Sequence, residues 1–189
     1  DNFISWFEND GSESFTEHVI STSINYARSV YAADVDSDGD MDVLSASRYD
    51  DKFAWYENDG SESFTEHAIS TSADGARDVY AVDVDGDGDM DVLSASWSDD
   101  KIAWYENDGS ESFTEHVITT SADGARSVYA VDVDGDGDMD VLSASYYDDK
   151  IAWYENDGSG EFGEKNVITT SADGARSVYA ADVDGDGDM

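Results

Sequence analysis

The hydrophobic and polar positions of this chain fall into short runs that are bounded by turn residues. One set of these runs is Phe113–Thr119, Ser127–Val133, Asp140–Ser145 and Lys150–Glu155. None of them extends into the 3.6-residue periodicity of an amphipathic helix. The pattern therefore predicts an all-β chain that is built from short strands.

Polar residues within the runs indicate where each strand lies. Ser127–Val133, Asp140–Ser145 and Lys150–Glu155 are apolar or small on both faces, as expected of strands held between neighbouring sheets. Phe113–Thr119 mixes Thr, Glu and His with its apolar residues, which fits an outer edge strand that polar groups protect from aggregation. An Asn-Asp-Gly sequence before this run favours a tight hairpin turn.

The same pattern returns every 49 residues, so the chain is a repeat protein. Units 50–98 and 99–147 differ at six of 49 positions, and the fourth unit has one inserted residue. We expect residues 1–189 to form one propeller or half-propeller domain, with units 1–49, 50–98, 99–147 and 148–189, the last of which is incomplete. The repeat is marked by four tryptophans, which are expected to pack in the core: Trp6, Trp55, Trp104 and Trp153.

Four antiparallel strands in each unit of roughly 40 to 50 residues predict the blades of a β-propeller. A parallel β-helix is the structural alternative, although its coils are usually much shorter. With the strands of a blade labelled A to D, the chain starts at strand C of one blade and ends after strand A of another. We expect a homodimer that completes an eight-bladed ring, or a fragment of a longer array, rather than a closed four-bladed monomer.

Composition adds a strong negative charge to this picture. The 189 residues include 46 acidic and 9 basic side chains, which gives a formal net charge of -37. Such a chain is repelled by nucleic acid and by anionic membrane surfaces, and it has no apolar run long enough for membrane insertion, so we expect neither partner. Aromatic residues make up 12% of the chain, which indicates a folded core rather than disorder. Multivalent cations are the natural counterpart of this charge.

The acidic residues are concentrated between strands A and B. In Asp132–Asp140, carboxylates occupy positions 1, 3, 5, 7 and 9, and glycine occupies position 6. Calcium takes several hard oxygen ligands, which a short loop can supply from alternate residues when a glycine permits the bend. Positions 1, 3, 5 and 9 are predicted to donate side-chain oxygens and position 7 its backbone carbonyl; a solvated acidic turn without an ion is the alternative. One Ca²⁺ per repeat is predicted, at Asp34, Asp36, Asp38, Asp40 and Asp42; at Asp83, Asp85, Asp87, Asp89 and Asp91; at Asp132, Asp134, Asp136, Asp138 and Asp140; and at Asp182, Asp184, Asp186 and Asp188.

These loops are not EF-hands, because position 12 is Ser45, Ser94 or Ser143 instead of Glu and because β-runs flank the loop. The pattern D-x-D-x-D-G-x-x-D between two β-runs resembles the FG-GAP/VCBS repeats of calcium-binding propellers, which include integrin alpha-subunit heads and some lectins. The resemblance covers the whole chain. It implies calcium on one face of the propeller and ligand recognition on the other face, by the D-to-A and B-to-C loops. The chain departs from the family in lacking the usual seven units and in the near identity of its copies.

Variation between the units gathers directly after strand B, in the loops that the resemblance assigns to ligand recognition. Aromatic side chains at loop tips offer flat apolar surface for a sugar ring or a protein. We expect a glycan or protein ligand there, and packing against neighbouring blades is the alternative. The residues are Arg48, Tyr49, Trp97, Tyr146 and Tyr147.

Basic residues and histidines also recur once per unit. Because the chain is so acidic, we expect the arginines and lysines to form ion pairs with neighbouring aspartates, and ligand contact by an arginine is the alternative. The histidines are expected to be titrating surface residues of the outer strand, since no nucleophile is placed beside them. These residues are Arg28, Arg77, Arg126 and Arg176; Lys52, Lys101 and Lys150; and His18, His67 and His116.

Together, these features predict a non-enzymatic, calcium-binding propeller that is secreted or exposed on the cell surface. A lectin-like or adhesive binding module is the leading hypothesis, because repetition suits multivalent binding better than a single active site. The near identity of the units leaves a structural or engineered scaffold without a ligand as an alternative. A second alternative is an accessory domain of a polysaccharide-degrading enzyme.

Overall fold

The computed structural model of the chain describes residues 2–189. Within this part the backbone forms fourteen β-strands and no helix. The strands are β1 (Ile4–Asn9), β2 (Phe15–Ser21), β3 (Ala27–Ala33), β4 (Asp42–Ser47), β5 (Lys52–Asn58), β6 (Phe64–Ser70), β7 (Ala76–Val82), β8 (Asp91–Ser96), β9 (Lys101–Asn107), β10 (Phe113–Thr119), β11 (Ala125–Val131), β12 (Asp140–Ser145), β13 (Lys150–Asn156) and β14 (Phe162–Thr169).

The strands form three four-stranded antiparallel sheets and one two-stranded sheet. The full sheets are β3-β4-β5-β6, β7-β8-β9-β10 and β11-β12-β13-β14, each in chain order, and β1 pairs with β2. The all-β prediction and the four runs per unit are confirmed. The first run differs slightly at its ends, because β11 covers 125–131 whereas the sequence predicts 127–133.

Each full sheet is shared between two consecutive sequence units. The two inner strands of the second sheet, β7 and β8, come from unit 50–98, and its outer strands, β9 and β10, come from unit 99–147. The sequence repeat and the structural blade are therefore out of phase by two strands.

Apolar side chains fill the spaces between successive sheets. Every residue of β8 and β12 is buried, whereas β6 and β10 expose about half of their residues, as the sequence predicts for inner and outer strands. Trp55 and Trp104 are 1% and 2% exposed, which confirms the prediction of core packing for these two. Burying a large apolar side chain of this kind contributes roughly 1.5–3 kcal/mol.

Side-chain amides also connect neighbouring blades. Asn107, at the end of β9, donates a 3.1 Å hydrogen bond to the carbonyl of Val35, which is 72 residues away. Asn156, at the end of β13, donates a 2.7 Å bond to the carbonyl of Val84 in the same way. Both amides are buried, so these bonds fix the relative position of adjacent sheets.

The innermost strands line the axis of the assembly, and β7 packs between β3 and β11. Their tyrosine rings contact one another in a row, tilted by 48° to 55°, with ring centroids 4.7 Å, 5.2 Å and 4.8 Å apart. The row continues into the segment after β14, which forms no strand. The sheets therefore form an open, partial propeller rather than a closed ring. The residues of this row are Tyr31, Tyr80, Tyr129 and Tyr179.

Candidate functional site

The first three acidic loops connect the innermost strand of a full blade to its second strand, and the fourth loop lies in the segment after β14. Their position-6 glycines have φ between +98° and +100°, a conformation that side chains other than glycine rarely adopt. The N–H of each of these glycines donates to the position-1 aspartate at 3.0 or 3.1 Å, which closes the loop around its first ligand. The four glycines are Gly39, Gly88, Gly137 and Gly187.

Three carboxylates converge in every loop. In each group one oxygen per residue lies within 4.8 Å of the others. The first two loops bring together positions 1, 3 and 9, and the last two bring together positions 1, 3 and 5. The groups are Asp34, Asp36 and Asp42; Asp83, Asp85 and Asp91; Asp132, Asp134 and Asp136; and Asp182, Asp184 and Asp186.

The position-9 aspartates are fully buried in the three complete loops. Asp91 accepts hydrogen bonds from the backbone N–H groups of Val84 at 2.9 Å and Asn107 at 2.8 Å. Burial raises the pKa of Asp91 to about 7, and it also raises the pKa values of Asp42 and Asp140. The ionised carboxylate is therefore costly in this position unless a cation lies beside it.

The donor set fits calcium. All of the converging groups are carboxylates, and Oδ1 of Asp34 is buried without a hydrogen-bond partner, as expected of an atom that faces a metal. Burial also raises the pKa of Asp36 and that of Asp85. These loops could therefore hold a divalent metal ion, with the converging aspartates as its ligands.

Some predicted ligands lie outside these groups. Asp38 and Asp87, at position 5, are exposed. The position-7 carboxylate packs against a glycine in the turn between the two outer strands of the same blade. A Cβ on Gly60 would lie 2.5 Å from Oδ2 of Asp40, and Asp89 and Asp138 are placed in the same way. A backbone carbonyl donor at position 7 therefore stays a prediction. Asp140 and Asp188 also lie outside the groups of three in their loops.

The predicted ligand residues lie at the opposite ends of the blades, after β4, β8 and β12. The ring of Trp97 is 5.3 Å from that of Tyr146 and 4.9 Å from that of Tyr147, so residues of two blades meet there. Tyr49 and Tyr147 are 60% and 61% exposed. Packing between blades and an exposed aromatic surface thus occur together, and ligand contact stays a prediction. We call Trp97, Tyr146 and Tyr147 the aromatic patch.

Lysines and arginines behave differently. Lys101 pairs with Asp99 and Glu115, and Lys150 pairs with Asp148, which confirms the predicted pairing with aspartates for these two. Lys52 pairs with Glu66 at 2.5 Å, a glutamate of the adjacent strand instead of an aspartate. The corresponding prediction for the arginines is wrong, since none of them pairs with a carboxylate in residues 2–189 and they stack on aromatic rings instead. In the sequence, the one feature that sets these arginines apart is their fixed position, three residues before each tyrosine of the axial row.

The histidines of the outer strands have structural partners. Each ring stacks on the tryptophan of the adjacent strand, with centroids 4.4 to 4.6 Å apart. Each also bonds a glutamate through Nε2, at 2.7 to 3.1 Å. These contacts support a surface role in strand pairing.

Fold and loops together define an open β-propeller with an acidic loop in each four-stranded blade. A sequence model of the FG-GAP-like repeat matches residues 1–45, 34–94, 83–143 and 132–189, and the chain belongs to this family. Comparison with curated proteins finds no match.

Among solved structures, the fold is similar to that of a lectin from Agrocybe aegerita, described for its specific recognition of non-reducing terminal N-acetylglucosamine. The TM-score is 0.63 at 18% identity, and the alignment covers 92% of this chain and 48% of the lectin, so the chain spans about half the length of that protein. At this identity the likeness establishes the fold alone. No helix in residues 2–189 is long and apolar enough to cross a membrane.

Proposed function

We propose that this chain is a calcium-stabilised, non-catalytic binding module that recognises glycans outside the cell. The aromatic patch carries the proposal, because it places three flat rings from two blades on the face opposite the acidic loops. Rings in this arrangement can stack on the apolar face of a sugar. Similarity to the fold of an N-acetylglucosamine-binding lectin supports a sugar as the ligand.

Calcium and location follow from the acidic loops. Extracellular calcium is roughly millimolar, which suits sites with a Kd of about 10⁻⁴ to 10⁻³ M. Asp34, Asp83, Asp132 and Asp182 begin loops that would each hold one ion. The ion would stabilise the turn between strands A and B, and ligand recognition would take place about one strand length away.

Replacing Trp97 by alanine is expected to weaken glycan binding by about five- to tenfold, because a central aromatic contact typically contributes 1 kcal/mol or more. The same loss is expected for Tyr146→Ala. The measurement is binding to a glycan array that includes N-acetylglucosamine termini, in millimolar calcium, followed by titration of the best glycan.

Phe15→Ala is the matched control, because Phe15 is 61% exposed but lies on the outer strand β2, away from the aromatic patch. It should bind as the unmodified chain does. Trp97→Tyr restores the ring found at the equivalent position 146 and should retain most of the binding. Failure of the unmodified chain to bind any glycan on the array would remove the proposed function.

A structural scaffold without a ligand is the second candidate. Its support is the similarity of units 50–98 and 99–147, which differ at six of 49 positions. Near-identical blades can all pack against one another in the same way, but their surfaces offer few different side chains for recognising a ligand. An array without any binder, combined with a stable fold, would favour this candidate.

We also propose that a second copy of the chain completes an eight-bladed ring. The two ends of the stack expose apolar side chains, with Phe7 58% exposed in β1 and Tyr179 72% exposed after β14. In a head-to-tail pair, the axial segment of one copy would belong to the same blade as β1 and β2 of the other.

Native mass spectrometry is expected to give a dimer. One chain has a mass of 20.5 kDa, so the pair would have 41.0 kDa (2 × 20.5). Tyr179→Asp should shift the population towards the monomer, since it places a charge at the proposed junction. A concentration-independent monomer would contradict the ring.

A further inference from the structure

The arginines of the inner strands are placed by β-bulges. In β3, β7 and β11 the pairing with the next strand skips the second residue, and this residue is Arg28, Arg77 or Arg126. A bulge re-aims the side chain of its extra residue. It brings each guanidinium to the axial mouth of the assembly, on the face opposite the acidic loops.

Four arginines converge at this mouth, and we call Arg28, Arg77, Arg126 and Arg176 the arginine cluster. Together with Asp78, Ser127 and Ser177, they line a cavity of about 290 Å³. The cavity is large enough for one sugar ring with a charged substituent.

The arginine cluster has no carboxylate partner within residues 2–189, although the chain contains 46 acidic side chains. The guanidinium groups instead lie over rings: Arg126 is 5.2 Å from the centroid of Trp97 and 5.0 Å from that of Tyr146. Arg77 and Arg176 flank the same two rings at 5.6 and 5.8 Å. The rings hold the arginines in place, but they supply no negative charge to pair with the guanidinium groups.

Asp78 also lines the cavity, but it forms no ion pair with the arginines and offsets only one of their four positive charges. Its carboxylate accepts hydrogen bonds from the hydroxyl of Ser29 at 2.7 Å and from the N–H of Val128 at 3.1 Å, so it links neighbouring blades. Serine occupies the equivalent position in the other three units. Burial, followed by the charges of Arg176 and Arg28, lowers the pKa of Arg126, as expected of like charges held together.

We propose that the arginine cluster binds the carboxylate of an acidic sugar, such as a uronic acid. The guanidinium fork matches a planar carboxylate and forms charge-assisted hydrogen bonds to it. The aromatic patch adjoins the cluster through Trp97 and Tyr146 and would contact the ring of the same sugar. A polyanion would be repelled by the net charge of -37, so a small ligand with one charge is the expected partner. The proposal rests on the glycan-binding function and specifies its ligand class.

The test is calorimetric titration of the whole calcium-loaded chain with methyl β-glucuronide and, separately, with neutral methyl β-glucoside. The glucuronide is expected to bind at least about tenfold more tightly, because charge-assisted hydrogen bonds are the stronger ones. Arg126→Gln should abolish most of this preference. Arg176→Gln serves as a second variant, because Arg176 lies in a segment outside the strands and its replacement should not disturb folding.

Asp78→Ser should have the opposite effect. It removes the one negative charge that lines the cavity and installs the residue of the other units, so glucuronide binding should become several-fold tighter. A purely structural role of Asp78 predicts no gain. Lys101→Gln is the charge-matched control, since Lys101 already pairs with Asp99 and Glu115, and it should bind like the unmodified chain.

The two proposals can fail separately. If glycans bind on the array but glucuronide and glucoside bind equally, the arginine-cluster proposal alone is overturned. It is also overturned if Arg126→Gln and Arg176→Gln keep their calcium binding and melting temperature yet bind glucuronide normally. A glucuronide preference that is lost in both arginine variants supports it, even if no neutral glycan on the array binds.

Discussion

Removing calcium with a chelator is expected to lower the melting temperature of this protein by about 15–30 °C. At about 10 mM calcium, a site with a Kd of about 10⁻⁴ M is at 100 times its Kd, and the ion stabilises the folded state by about 2.7 kcal/mol per site. Three complete loops then contribute about 8 kcal/mol. For a domain of this size, 1 kcal/mol corresponds to roughly 2–4 °C. The physical reason is the convergence of three aspartates within 4.8 Å in each loop, which repel one another without a cation.

Differential scanning calorimetry with calcium, with chelator, and with chelator plus sodium chloride measures this effect. Four bound ions would change the formal charge from -37 to -29 (-37 + 8). Because salt also screens repulsion, it should recover part of the stability but not all of it. Equal melting temperatures in calcium and in chelator would contradict the proposed metal loops.

Replacing Asp91 by alanine is expected to lower the free energy of unfolding by about 2–5 kcal/mol even in chelator, because it leaves two buried N–H groups without an acceptor. These groups belong to Val84 and Asn107, and Asp91 itself is completely buried. Asp91 thus has a structural role that does not depend on a metal. Urea denaturation with and without calcium measures the loss.

Asp136→Ala is the matched contrast. Asp136 is exposed, and its side chain accepts one hydrogen bond, from the N–H of Asp138 at 3.0 Å. The variant should therefore lose little stability in chelator, but about 1–3 kcal/mol in calcium as its site weakens. Similar losses of unfolding free energy for Asp91→Ala and Asp136→Ala in chelator would contradict the metal-independent structural role of Asp91.

Much of the fold could be predicted from the sequence, because its determinants are local. Alternation and turn residues locate the strands, and the 49-residue repeat identifies the blades. The bend of the acidic loops could also be predicted, because the motif has glycine at position 6, and Gly88 and its equivalents adopt a positive φ there. The polar residues within each run also distinguish buried strands such as β8 from outer strands such as β10.

The arginine cluster could not be predicted in this way. Strict alternation would place Arg28 and Tyr31 on opposite faces of β3, and only the bulge changes the direction of Arg28. A bulge depends on the partner strand, and the stacking of Arg126 on Trp97 depends on the angle between two blades. The high acidic content of the sequence favours ion pairs for the arginines. In the structure, however, the acidic loops place much of the negative charge at the other end of the inner strands.

The two-strand offset between sequence unit and blade has a consequence for unfolding cooperativity. A unit that unfolds removes its strands from two sheets at once. It also breaks the hydrogen bonds that the side-chain amides of Asn107 and Asn156 donate to the preceding blade. The stability of a repeat array is a sum of unit terms and nearest-neighbour terms. Here the interaction between neighbouring units includes all the backbone hydrogen bonds between two paired strands. The interior blades should therefore unfold together and exchange their amide hydrogens at one common rate instead of blade by blade.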